Sequence, residues 1–128
     1  MDPHDRRSWY LSAANQVSYG RLLLEQGRAK QGRSVLLSAD QPFERALALD
    51  ALDATLLELR ASQFYKLAEA GEKLGDLPDA RSRMRQCAEI LAGMIQRDPL
   101  AKNYVDEYRE MLGFSHRLGV STAQLPRP

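Results

Sequence analysis

At 128 residues the chain is long enough for one domain with a continuous core, and 44% hydrophobic with 27% charged residues is the balance of an ordinary globular protein. A formal charge of +1 leaves no global field to draw in nucleic acid or an anionic membrane. A single cysteine, Cys87, excludes an internal disulfide framework, and no apolar run approaches the roughly 18 residues of a membrane span.

Met1 to Arg7 is polar with no apolar segment behind it, so no secretory signal is expected and the protein is read as cytoplasmic. Helical spacing then takes over. A first helix is expected over about Asp5 to Gln26, presenting Trp9, Ala13, Val17, Gly20 and Leu23 or Leu24, and Gly27 ends it. A second starts near Arg28 with Ala29, Leu36 and Ala39. The run Asp40-Gln41-Pro42 interrupts it, and the pattern resumes through Phe43, Ala46, Leu47 and Leu49. Pro42 breaks or kinks this element, because its ring clashes with the carbonyl four residues back.

The next helix is expected over Ala54 to Leu74, with the stripe Leu57, Ala61, Phe64, Ala68 and Gly71, and Leu67 and Leu74 beside it. Gly75 supplies a left-handed end, Asp76 caps the following helix and Pro78 lies in its first turn. The stripe of that helix is the clearest in the chain: Leu77, Ala80, Met84, Cys87, Leu91 and Met94. Asp98-Pro99 closes it. Ala101 to Leu118 reads as a further helix with Tyr104, Tyr108, Met111, Leu112 and Leu118 inward, followed by a frayed tail over 120–128. No stretch alternates like a strand.

Self-comparison at a shift of 48 brings Gly27 onto Gly75 and Asp50 onto Asp98, with Leu36 on Met84, Ala39 on Cys87 and Phe43 on Leu91. A weaker third copy aligns Leu57 with Val105, Phe64 with Leu112 and Gly71 with Gly119. A shared period points to stacked helix hairpins, each leaving an apolar face for its neighbour. The expected units are a first repeat over about 5–50, a second over about 53–98 and a final capping helix over about 101–118.

Chemistry-bearing residues are sparse. Cys87 lies on the apolar stripe and reads as a buried thiol. His4 and His116 have no ligand spacing to each other or to the cysteine, so no metal is expected. Asp50, Asp53, Asp76, Asp79 and Asp98 fall at helix ends, where carboxylates satisfy free amides. Gly27 and Gly32 lack the preceding strand of a phosphate loop, so no cofactor is expected. Arg81, Arg83 and Arg85 read as a solvated face, without the aromatic platform that nucleic acid would use. No nucleophile, base or metal set converges, and no catalytic residue is assigned.

The block Phe64-x2-Leu67-Ala68-x2-Gly71-x3-Gly75-Asp76-x3-Ala80-x3-Met84-x2-Cys87 resembles the tetratricopeptide repeat, and Tyr19-Gly20, Gly27, Gly32, Leu36 and Ala39 repeat it upstream. The period departs from that family's usual repeat of about 34 residues, as in its extended variants. Gly71 stands where a tyrosine is common and Gly32 where alanine is. The resemblance implies an all-α, tetratricopeptide-like solenoid of five to six helices with a concave groove that binds a peptide or partner helix, and no catalysis. Its groove positions fall on Val17, Arg21 and Leu24 of the first helix and Tyr65, Glu69, Glu72 and Lys73 of the third. The expected role is therefore a protein-binding scaffold. The alternative is a self-associating structural or regulatory segment of a larger signalling protein, since a short array leaves an apolar face open to a second copy.

Overall fold

The structure, a computed structural model, describes residues 5–128, and all regular elements among them are helical. Six α-helices follow in order: α1 (Arg6–Glu25), α2 (Ala29–Leu37), α3 (Asp40–Leu49), α4 (Ala54–Lys73), α5 (Leu77–Arg97) and α6 (Lys102–Arg117). A 3-10 turn, Thr122–Gln124, follows α6. None of the helices is long and apolar enough to cross a membrane. His4 lies outside the described residues.

Local chemistry sets the helix ends. The carboxylate of Asp5 accepts the Ser8 N–H at 2.8 Å and starts α1; Asp53 accepts the Leu56 N–H at 3.1 Å and starts α4. Asp76 does the same for α5 through the Asp79 N–H, with Pro78 in the first turn. Three helices, α1, α4 and α6, end alike. Gly27, Gly75 and Gly119 take φ values of 76°, 75° and 79°, which an L side chain would strain. The amides of Arg28, Asp76 and Val120 then close back onto the carbonyls of Leu23, Gly71 and Ser115 at 2.8–2.9 Å.

A shift of 48 carries Arg6–Glu25 onto Ala54–Lys73, and the outer bounds of α2 and α3, Ala29 and Leu49, onto those of α5, Leu77 and Arg97. The one difference is that α5 runs unbroken where α2 and α3 separate at Ser38 and Ala39. Pro42 is the cause. It stands as the third residue of α3, where no N–H is needed, but it cannot bond the Ser38 carbonyl, so the preceding helix stops. At the equivalent place α5 has Ile90, which has an N–H to offer.

The first hairpin closes by close backbone approach. A Cβ on Gly20 would fall 2.5 Å from Leu36 Cγ, and one on Gly32 would fall 3.0 Å from the Gly20 carbonyl oxygen. Two glycines facing each other therefore let α1 and α2 meet without side chains between them. Ala13, Val17, Ala39, Phe43 and Ala46 continue the same seam, and Leu56 of α4 completes this cluster. The second cluster joins α4, α5 and α6 and takes in Leu24 and Leu36 from the first hairpin. Each fully buried leucine contributes about 1.5–3 kcal/mol, and these exchanged residues weld the hairpins into one core.

The break between α2 and α3 is sealed from α4. Gln63, fully buried, donates from Nε2 to the Leu36 carbonyl at 2.7 Å and to Asp40 Oδ1 at 2.9 Å. Arg60 donates to Gln63 Oε1 at 2.7 Å and pairs with Asp40 at 2.8 Å. Its guanidinium stacks between the rings of Phe43 and Phe64, at 5.1 and 4.6 Å from their centroids. Arg33 adds a further tie from α2 to Asp76 at 2.9 Å and Asp79 at 3.3 Å.

Two expectations change. In the weak third copy, the left-handed glycine equivalent to Gly75 is Gly119, a shift of 44, and Gly71 is an ordinary helical residue. The 16-residue α6 is four shorter than α4, about one turn. At that shift buried Met111, Phe114 and Ser115 fall on buried Leu67, Ala70 and Gly71. The segment 120–128 is also not frayed along its length. Val120 and Leu125 are buried in the second cluster, and the Tyr108 hydroxyl donates to the Pro126 carbonyl at 2.7 Å. The apolar positions after α6, too short to form a helix, still find the core.

Gly20→Ala is expected to destabilise the chain by about 1–3 kcal/mol, because Leu36 and the Gly32 carbonyl both crowd the new methyl. Gly113→Ala, on α6 with nothing within 4 Å, is expected to stabilise it by up to about 1 kcal/mol. Gln63→Met keeps the volume but removes the amide that bridges the Leu36 carbonyl, Asp40 and Arg60, and is expected to cost about 1–3 kcal/mol. Urea unfolding followed by circular dichroism checks all three.

Candidate functional site

The face of α4 turned away from the Gln63 network opens into a cleft of about 430 Å³. Glu58, Ser62 and Tyr65 recur at helical spacing along that face, while Leu56, Gln63, Leu67 and Ala70 lie on the opposite one and are buried. One helix thus packs with one side and lines the cleft with the other. Tyr10 of α1 closes one wall; Glu107 and Glu110 of α6 close the other. Ala61 of α4 and Cys87 and Leu91 of α5, all buried, form the floor. The size is within the range of small-ligand or side-chain pockets, roughly 300–1,000 Å³.

The electrostatics of the cleft are lopsided. The Asn103 amide donates to Glu58 Oε2 at 3.1 Å. Glu107 reaches Glu58 across the gap between α4 and α6, and its carboxyl is pushed up to about 7. Burial is the largest cause, followed by the hydrogen bond and charge of Glu58 and then by Glu110. Burial, with help from Glu107, pushes the Cys87 thiol up to about 12, so it stays protonated at neutral pH. Burial and the carboxylates of Glu110 and Glu69 raise the Tyr65 phenol to about 12. Lys66, also on the rim, is held by Glu69 at 3.1 Å.

Of the seven groove positions drawn from the sequence, the structure brings only Tyr65 into the cleft. There it is half-buried, its ring tilted at 45° to Phe114 with centroids 5.2 Å apart, so it forms a wall and is not a free-standing anchor. Val17 and Leu24 are core residues, 4% and 3% exposed, and cannot touch a partner without unfolding the first hairpin. Arg21 and Glu72 are exposed but line no cleft. Glu69 is taken up by Lys66, and the Lys73 ammonium donates to the Leu24 carbonyl at the end of α1, 3.4 Å away. The cleft therefore lies toward the N-terminal half of α4, whereas the groove positions implied by the family resemblance cluster toward its C-terminal half.

Glu58, Glu107 and Glu110 were missed. Glu107 and Glu110 stand three apart on α6, which marks a shared acidic face in the sequence. Nothing in the sequence pairs that face with Glu58, because periodicity within one helix does not say which polar face of another it meets. Among the described residues, no group of three or more histidine, cysteine or acidic side chains is placed to hold a metal ion. His116 is exposed near the end of α6.

The Glu107 carboxyl sits above its ordinary value of 4.5, so between about 4.5 and about 7 the folded chain binds more proton than the unfolded one. Stability is expected to fall as pH rises through that window. Asp5 and Asp76, lowered by the Ser8 amide and by Arg33, act in the opposite sense, but only as pH falls through and below their ordinary 3.8. Urea midpoints measured from about pH 5 to about pH 8 should therefore decline. In Glu107→Gln they should stay flat and lie above those of the parent at the alkaline end. Parallel curves for the two proteins would contradict the assignment.

Comparison with family models, with curated proteins and with solved structures finds no match to this chain, so a functional reading has to come from the chemistry of the cleft.

Proposed function

We propose that the chain is a protein-interaction module, an array of helical hairpins of the tetratricopeptide kind, whose cleft between α1, α4 and α6 holds a segment of a partner protein. The observation that carries this reading is the cleft itself. It has a buried apolar floor to receive a side chain, two tyrosines on its walls and carboxylates on its rim to fix register. The 48-residue correspondence between the two hairpins supports the array. No catalysis is proposed: the thiol in the cleft is held protonated by burial and the carboxylates face one another without a substrate-activating partner. We place the module in the cytoplasm, where its single unpaired thiol is at home.

One observation favours a second reading, self-association. Leu11, Tyr19 and Leu22 are 41%, 53% and 47% exposed along α1. The 48-residue shift carries them onto Leu59, Leu67 and Ala70 of α4, which pack against the first hairpin or within the core. A second copy is the occupant tested. Analytical ultracentrifugation of the parent and of Tyr19→Glu/Leu22→Glu decides: a dimer lost in the variant supports this reading, and a monomer for the parent removes it.

The cleft is tested by selecting displayed random peptides on the parent protein and counter-screening on Ser62→Trp, whose indole fills the space beside Tyr65. Selected peptides are expected to bind the parent and to lose at least about tenfold in affinity, about 1.4 kcal/mol, on the blocked protein. Arg21→Ala and Glu72→Ala should bind as the parent does. Peptides indifferent to Ser62→Trp would reject the cleft as the docking site.

A further inference from the structure

Nearly every partly buried carboxylate in the described chain is answered. Asp40 faces Arg60, Asp50 and Asp53 face Arg6, Asp76 and Asp79 face Arg33, and Glu69 faces Lys66. Asp5 has the Ser8 amide of its own helix. Glu58 and Glu107 differ: both are partly buried and Glu58 accepts the neutral Asn103 amide at 3.1 Å, yet among the described residues no ion pair includes either of them or the neighbouring Glu110. The contrast is not for want of cations, since the chain carries 18 lysines and arginines. Two carboxyl groups drawn out of water and set against each other cost stability that a nearby cation would recover.

The surroundings narrow what that cation belongs to. Tyr10 and Tyr65 line the same cleft, and aromatic faces attract guanidinium and ammonium groups. The floor of Ala61, Cys87 and Leu91 has no polar side chain to satisfy a second charge, and suits a buried aliphatic group. Among the described residues no third histidine, cysteine or acidic side chain joins the two in a group placed to hold a metal ion. A cation attached to an apolar neighbour, as in a basic peptide, matches all three features.

We infer that the segment held in the cleft is a basic peptide, which places an arginine or lysine between Glu58 and Glu107 and seats an adjacent aliphatic side chain on Ala61 and Leu91. This rests on the reading of the cleft as a peptide site and adds the chemical class of its occupant. Binding then supplies the missing positive charge, so it strengthens as Glu107 ionises and weakens with added salt. The charged and titratable groups that face Glu107 there are Glu58 and Lys66 of α4, Glu110 of its own helix, the protonated Cys87 of α5 and the tyrosines.

The test uses the full chain and three fluorescein-labelled peptides in which leucine alternates with arginine, with glutamine or with glutamate. Fluorescence anisotropy is read on the parent, on Glu58→Gln/Glu107→Gln and on Ser62→Trp, with circular dichroism melts to verify that each variant is folded. The glutamines keep the shape and remove only the charge, so the double variant is expected to melt no lower than the parent. On the parent, the arginine peptide is expected to bind at least about tenfold tighter than the glutamine peptide, and the glutamate peptide not to bind. In the double variant that preference should disappear. The inference is overturned if the arginine peptide does not bind, or if its preference survives in the double variant. It is also overturned if the glutamine peptide binds equally well. In that last case, loss of binding on Ser62→Trp would leave the cleft standing as a peptide site. Binding that ignores Ser62→Trp would remove the cleft as well.

Discussion

The position of α4 governs everything else in this molecule, and it is held by one buried amide. Where Pro42 ends the second helix early, the last turn tightens and the buried Leu36 carbonyl accepts the Ala39 N–H at 3.2 Å, with a second lone pair still to fill. Gln63 reaches across from α4 to satisfy it, and Arg60 and Asp40 satisfy Gln63 in turn. A buried amide that must meet all these partners at once fixes both the rotation and the depth of its helix, which oil-on-oil contact alone does less well. Because Gln63 points toward the first hairpin, Glu58, Ser62 and Tyr65 must point the other way, and that face becomes the wall of the cleft.

The same placement explains the charge of the cleft. The last helix is one turn shorter than its counterparts and closes on a left-handed glycine, and the chain beyond it returns to the core through Val120 and Leu125. With α6 seated in this way, Tyr65 packs on Phe114 and Glu107 meets Glu58. Fold and electrostatics are therefore linked. A chain that packs well around α4 is left with two carboxyl groups facing each other and no cation of its own between them. Such a carboxyl pair without a cation, in a cleft with an apolar floor, is where a structure whose other partly buried carboxylates mostly face cations departs from its own habit.

The helices were legible in the sequence because their ends carry unambiguous chemistry. Aspartates at 53 and 76, glycines at 27 and 75 and the proline at 42 each dictate a local backbone state, whatever lies around them, whereas Gly119 aligns in the sequence with helical Gly71 and its left-handed turn shows only in the structure. The apolar stripe of α5, from Ala80 to Met94, is buried as its spacing requires. What the sequence concealed were relations between helices. Gln63 looks like a surface residue until the Leu36 carbonyl is seen to need it. Val17 and Leu24 look like groove positions until the Gly20–Gly32 approach draws α1 onto α2 and buries them. Glu58 and Glu107 lie 49 positions apart on two different helices, and neither helix's apolar stripe says that these faces meet. Periodicity predicts which face of a helix is apolar, not which polar residues two helices will press together.

The chemistry of the cleft turns on Glu58 and Glu107, which face each other there without a cation. The most direct measurement is the titration of the glutamate side-chain carboxyl carbons by NMR, with Glu107 assigned through Glu107→Gln. One carboxyl is expected to titrate with a midpoint near 7 and to move when Glu58 is changed to glutamine. A Glu107 midpoint at its ordinary 4.5, unmoved by Glu58→Gln, would contradict that arrangement.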